Sequence, residues 1–96
     1  MIEYPGTKRE LNIIMPEETA VKVILDIVAQ SHEWVSNITV SEIYRDPVHI
    51  GENKKSVVIS LLIQNPTTTI TDDEAGKIQE IIITQLTEKE YKLRGS

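Results

Sequence analysis

The sequence predicts an α+β domain of order βαββαβ: a four-stranded antiparallel sheet in spatial order 4-1-3-2, with two helices on one face. Three observations carry this. Two β-branched runs, Ile38 to Ile43 and Val57 to Gln64, flank Tyr44-Arg45-Asp46-Pro47-Val48-His49-Ile50-Gly51-Glu52-Asn53-Lys54-Lys55-Ser56 and read as the arms of a hairpin with a basic and polar tip. Pro47 and Gly51 between them interrupt strand pairing and suit turns. On each side of the hairpin the chain carries one strand pattern and one helix pattern. A two-stranded hairpin is marginal in water, so these flanks must widen the sheet and cover one of its faces.

Residues 1–6 are a lead-in with turn chemistry in Glu3-Tyr4-Pro5-Gly6, and Met1 suits an added start. Lys8 to Met15 alternates, with Leu11, Ile13 and Met15 inward and Glu10, Asn12 and Ile14 outward, until Pro16 stops the strand. From Glu17 to Gln30, Ala20, Val23, Ile24, Ile27 and Val28 fall at helical spacing, and Val21 and Leu25 widen the stripe. Glu17 and Glu18 suit the start of that helix. Trp34 to Asp46 returns as a strand; Ile43 breaks the parity of Ile38 and Val40, which predicts a bulge near Ser41-Glu42. Trp34 reads as an anchor at the core edge.

In the third strand Val57, Ile59, Leu61 and Ile63 share one face, and Ser56, Val58, Ser60, Leu62 and Gln64 the other. Asn65 to Thr69 is a loop. Thr71 and Glu74 have capping-box spacing, and the helix they open places Ala75, Ile78, Ile82 and Leu86 on one stripe. Gly76 within it costs about 1 kcal/mol against alanine. Tyr91-Lys92-Leu93-Arg94 is a short last strand, its two cations on one side. The helix-free face is then lined by Asn12, Ile14, Ser56, Val58, Ser60, Leu62, Lys92 and Arg94. Aliphatic side chains on an uncovered face invite a partner.

Ninety-six residues make a single domain, 1–96, with room for one core. With 40% hydrophobic residues in recurring blocks the chain is globular, and without cysteine it has no disulfide, thiol nucleophile or thiolate metal site. Its apolar runs are far too short to span a membrane, and Met1-Ile2-Glu3 does not begin a signal peptide. The formal charge of −5 is unevenly spread. The two helical stretches carry nine carboxylates against three lysines, whereas the rest carries seven Lys/Arg against six Asp/Glu. The strand side is free to meet a polyanion.

Catalytic chemistry is not in view. His32 and His49 are isolated from other ligand types and read as ordinary surface histidines. The four glycines form no phosphate loop, and no nucleophile sits on an elbow motif. Asp72-Asp73-Glu74 is explained by helix capping and the helix dipole rather than by a metal. Lys54-Lys55 reads either as a solvated loop or as a phosphate contact. Tyr44 is either an edge-strand aromatic packed locally or a platform for a base. An RNA-recognition motif shares this strand order but stacks bases on aromatics in its third strand, where this chain has aliphatics and serines.

Arg9-Glu10-Leu11, Tyr44-Arg45, Lys54-Lys55-Ser56, Thr69-Ile70-Thr71-Asp72-Asp73-Glu74 and Leu93-Arg94-Gly95, in this order and spacing, together resemble the ferredoxin-fold anticodon-binding domain. That domain forms the C-terminus of the β subunit of bacterial phenylalanyl-tRNA synthetase. The resemblance runs from about Pro5 to Gly95 and implies a ferredoxin-like fold and a non-catalytic, cytoplasmic module of a longer ATP-dependent ligase. It implies no cofactor and no membrane. The implied partners are the anticodon stem-loop of phenylalanine tRNA, the rest of the β subunit and the α subunit, with the isolated domain a monomer. On matching positions it implies that Tyr44 stacks a base, that Asn12 and Ser56 bond base edges or ribose, and that Arg45, Lys54, Lys55, Lys92 and Arg94 meet phosphates. Glu10, Asn12, Ser41 and Asp46 depart from the family's usual residues, Glu10 standing for the commoner aspartate and Asp46 adding a carboxylate near the RNA. Two other readings of the fold are a metabolite-binding regulatory module and a protein-docking module using Ile14, Val58 and Leu62. The acidic, glycine-free Met15-Pro16-Glu17-Glu18 turn disfavours the first.

Overall fold

A computed structural model describes residues 4–94. Residues 1–3, Gly95 and Ser96 lie outside the described residues, and with them Met1, half of the lead-in and the terminal glycine of the Leu93-Arg94-Gly95 motif. The chain runs β1 (Thr7–Pro16), α1 (Val21–Ser31), β2 (Val35–Tyr44), β3 (Lys54–Ile63), α2 (Asp72–Glu88) and β4 (Lys92–Leu93). The sheet order is β2-β3-β1-β4, antiparallel throughout, the predicted order read from the opposite edge.

β1 and β3 pair along their full length, from Thr7 opposite Ile63 to Pro16 opposite Lys54, and this register fixes both faces of the sheet. Leu11, Ile13 and Met15 stand beside Val57, Ile59, Leu61 and Ile63 on the inner face. Ile24 and Val28 of α1 and Ala75, Ile78, Ile82 and Leu86 of α2 close over them in one buried cluster. Both helices thus lie on one face. Each large aliphatic in that cluster stabilises the fold by about 1.5–3 kcal/mol through burial.

β2 carries two register shifts, between Ser36 and Thr39 and between Val40 and Glu42. The second is the bulge that the parity of Ile43 requires. It returns Ile43 to the helix side, opposite Val57, and sets Tyr44 opposite Ser56 on the open side. The first surrounds Asn37, whose φ of 51° lies in the left-handed region that asparagine tolerates better than most residues.

The first helix begins at Val21, not at Glu17. β1 continues through Pro16; the Glu17 amide then donates to Asn53 O (2.8 Å) and the Thr19 amide to Pro16 O (3.1 Å), so a turn tied to the hairpin occupies the expected first helical turn. Glu17 and Glu18 therefore do not serve the helix dipole. Ala20 becomes an N-cap without a side-chain cap, and Ala20 and Val23, both members of the predicted apolar stripe, are exposed. α2 instead has its predicted start. Thr71 Oγ1 accepts from the Glu74 amide (3.1 Å) and Glu74 Oε1 from the Thr71 amide (3.1 Å), with Asp72 and Asp73 in the same turn. A cap of this kind contributes about 1 kcal/mol. β4 pairs only with Ile13 and Ile14, extended by the Arg94 amide donating to Asn12 O (2.7 Å). Tyr91 and Leu93 pack on the core, leaving Lys92 and Arg94 on the open face.

Candidate nucleic-acid interface

The open face has a polar centre built from three strands. Asn12 (β1), Tyr44 (end of β2) and Ser56 (β3) share the outward row because Tyr44 pairs with Ser56, while Asn12 pairs with Val58 one step along. Asn12 Nδ2 donates to Tyr44 Oη (2.8 Å), and Ser56 Oγ donates to Asn12 Oδ1. Arg94 Nη1 reaches Tyr44 Oη (3.5 Å), and its guanidinium carbon stands 5.8 Å from the centre of the Tyr44 ring, so one side of the ring carries a cation. Ser56 is 0% exposed. With its hydroxyl spent on Asn12, it supports Asn12 in this structure rather than presenting itself to a ligand.

The five basic residues separate by the pleat. Lys54 stands on the same row as Ser56, and Lys92 lies opposite Ile14 on the open side, so these two share the Tyr44 face with Arg94. Lys54 and Lys92 have no ion-pair partner among the described residues. Arg45 and Lys55 are not brought to that face. Lys55 shares the inner row with Met15 and Val57; it is 7% exposed and its Nζ donates to Glu17 O (3.0 Å). Arg45 holds the Glu17 carboxylate with two donors, Nε to Oε1 and Nη2 to Oε2 (2.9 Å). Towards the other end of the open face stand Glu42, opposite Val58, and Glu10, opposite Ser60, while Ser41 and Ser60 bond each other (2.7 Å). A groove of about 580 Å³ joins this end of the open face to the helix side, lined by Glu10, Asn12, Glu42 and Arg94 and by Gln79, Glu80 and Ile83 of α2. The face thus carries Lys54, Lys92 and Arg94 at the Tyr44 end and Glu10 and Glu42 beyond it, with Lys8, opposite Leu62, at the far end, a distribution that favours a polyanion at the Tyr44 end.

Glu17 stands against the Arg45 and Lys55 cations, and the Arg45 hydrogen bond lowers its pKa from the ordinary carboxylate value, with the Arg45 and Lys55 charges adding to this. Asp46 is lowered too, chiefly by the hydrogen bond from His49 Nδ1 (2.8 Å). Both carboxylates are more acidic folded than unfolded. The stability they contribute is therefore complete above the ordinary carboxylate range and disappears as pH falls through the lowered folded values. Acid unfolding of Glu17→Gln, followed by circular dichroism, is expected to show a shallower loss of stability below about pH 4.5 than the parent chain. An unchanged acid limb would contradict the role given to this pair.

The hairpin tip is organised by Asp46, whose Oδ1 accepts from the Val48 and His49 amides (both 3.2 Å) while its carbonyl accepts from Ile50 (2.7 Å). This folds Ile50 inward and leaves Val48 86% exposed. His32 accepts at Nδ1 from the Trp34 amide (3.0 Å) and meets the Trp34 ring edge-on, a structural role at the core edge. Among the described residues no three His, Asp or Glu side chains gather as a metal site.

The ferredoxin-fold anticodon binding domain family matches residues 3–94. The chain belongs to this family. Its relatives include the phenylalanine–tRNA ligase beta subunits of Streptococcus mutans (32% identical over 88 residues, 91% of this chain and 11% of the relative), Bacillus licheniformis (28% over 95 residues, 97% and 12%) and Aquifex aeolicus (28% over 88 residues, 91% and 11%). The chain thus spans about an eighth of the length of the relatives it matches. This anticodon binding domain contains two features that a residue count does not reveal: on the open face, the cation of Arg94 against Tyr44, and off that face, the capture of Arg45 and Lys55 by Glu17. The first is accessible once β4 is placed against β1. The second depends on the helix starting at Val21, four residues after Glu17, where the leading carboxylates suggest it begins.

Proposed function

We propose that this domain grips the anticodon stem-loop of phenylalanine tRNA on its open sheet face, as a non-catalytic part of a longer phenylalanine–tRNA ligase β subunit that works with an α subunit. Aminoacylation then takes place elsewhere in the enzyme, and this domain needs no cofactor. The observation that carries the reading is Tyr44, fixed by Asn12 and Arg94 on the uncovered face, with Lys54 and Lys92 on the same face and paired to no carboxylate among the described residues. A loop base stacks on the Tyr44 side away from Arg94. Asn12 has used one amide hydrogen and one lone pair, which leaves one of each for a base edge; Tyr44 Oη accepts from Asn12 and Arg94, which leaves its own proton to donate. Lys54, Lys92 and Arg94 meet the phosphates on either side. The two bulges in β2 twist that edge away from pairing, in keeping with a monomer.

Binding of the cognate stem-loop and of an unrelated stem-loop, measured by fluorescence anisotropy from about 50 to 200 mM salt, tests this. The expected result is weak binding that favours the cognate loop, with a log–log salt slope of about −2 for three phosphate contacts at about −0.7 each. Equal affinity for both loops would contradict the reading.

A further inference from the structure

The Glu17 carboxylate occupies a place with the donors of an anion site. Arg45 offers it two parallel N–H groups, the arrangement by which guanidinium also takes a phosphate. The Lys55 ammonium lies 3.7 Å from Glu17 Oε2. Because Lys55 is buried, its charge is poorly screened by water and attracts whichever anion lies beside it. The backbone of Glu17 is fastened at both ends, by its amide to Asn53 O and by its carbonyl to Lys55 Nζ. Its side chain is 40% exposed, so the carboxylate can swing into solvent without disturbing that backbone. The site it would vacate lies on the helix side of the sheet, off the Tyr44 face.

We propose that Arg45 and Lys55 form a second anion site, for a backbone phosphate of an RNA strand, that Glu17 keeps closed. Glu17 thereby confines RNA to the open face. The inference rests on the reading above only in taking RNA as the polyanion. Arg45 and Lys55 contribute to binding only when the carboxylate leaves, whereas Lys54, Lys92 and Arg94 are available throughout.

The probe is poly(U) RNA, titrated at low salt into the whole chain. Glu17→Gln is compared with Glu18→Gln, an equal change of net charge at an exposed neighbour that makes no hydrogen bond or ion pair among the described residues. The expected result is an affinity for E17Q at least about fivefold above E18Q, a salt slope steeper by about one phosphate contact, and loss of the gain in E17Q/R45Q. Equal affinities of E17Q and E18Q, or a gain that survives R45Q, would overturn the proposal. So would inorganic phosphate at millimolar concentration abolishing the gain, since the site would then take free phosphate in preference to a strand. If E17Q fails to fold, R45Q and K54Q in the parent chain decide: masking predicts that R45Q costs less poly(U) affinity than K54Q, and an equal or larger loss overturns it. The outcome is separable from that of the stem-loop comparison, because the parent chain can fail to prefer the cognate loop while E17Q still gains poly(U) binding.

Discussion

Tyr44→Ala is expected to weaken binding of the phenylalanine anticodon stem-loop by roughly 5- to 150-fold, the equivalent of about 1–3 kcal/mol for one base stacked on an aromatic ring. Tyr44→Phe keeps the ring and loses the hydroxyl that holds Asn12 and Arg94, so its loss should be smaller, about 1 kcal/mol. The order of the two variants carries the information. A ring that stacks makes alanine much the worse, whereas a Tyr44 that serves only to brace Asn12 makes both variants alike. Anisotropy titrations at one fixed salt concentration separate these outcomes, with an amide correlation spectrum to show that each variant keeps the fold. Retention of parent affinity by Tyr44→Ala would remove Tyr44 from the interface.

Ile13→Ala should cost about 2–5 kcal/mol, the usual penalty for truncating a fully buried aliphatic. Ile13 is 0% exposed and stands on β1 between β3 and β4, where it is opposite both Val57 and Leu93. A domain of this size has only about 5–15 kcal/mol to lose, so the midpoint of thermal unfolding should fall by roughly 10–30 °C. Val40→Ala, on the exposed edge strand, should stay within about 0.5 kcal/mol of the parent. Urea unfolding of the pair measures both. Similar losses would mean that the sheet is not organised around its β1–β3 centre.

Periodicity makes most of the fold legible. Leu11, Ile13 and Met15 alternate in β1 and Val57 to Ile63 in β3 because one face of each is buried, and the broken parity of Ile43 is enough to locate a bulge. Thr71 and Glu74 mark the start of α2 because a threonine with a glutamate three residues on satisfies two of the amides that a helix N-terminus leaves open. The start of α1 is hidden because Glu17 and Glu18 look like dipole partners. Nothing local in the sequence shows that Glu17 is committed to Asn53 and Arg45, residues 36 and 28 positions away. The candidate site follows the same division. Asn12, Tyr44 and Ser56 can be gathered from strand parity, and the same parity turns Lys55, in step with Val57, to the inner row; the burial of Ser56 and the engagement of Arg45 and Lys55 by Glu17 are tertiary effects. Charge counts treat Arg45 and Lys54 alike; only the register distinguishes them.

The most direct test of the central claim is an amide and side-chain NMR titration of the isotope-labelled chain with the phenylalanine anticodon stem-loop, run beside an unrelated loop. The cognate loop is expected to shift Asn12, Tyr44, Lys54, Lys92 and Arg94 together and to leave Arg45 and Lys55 nearly unmoved. Shifts centred on Arg45, Lys55 and the helices, or equal shifts with either loop, would contradict it.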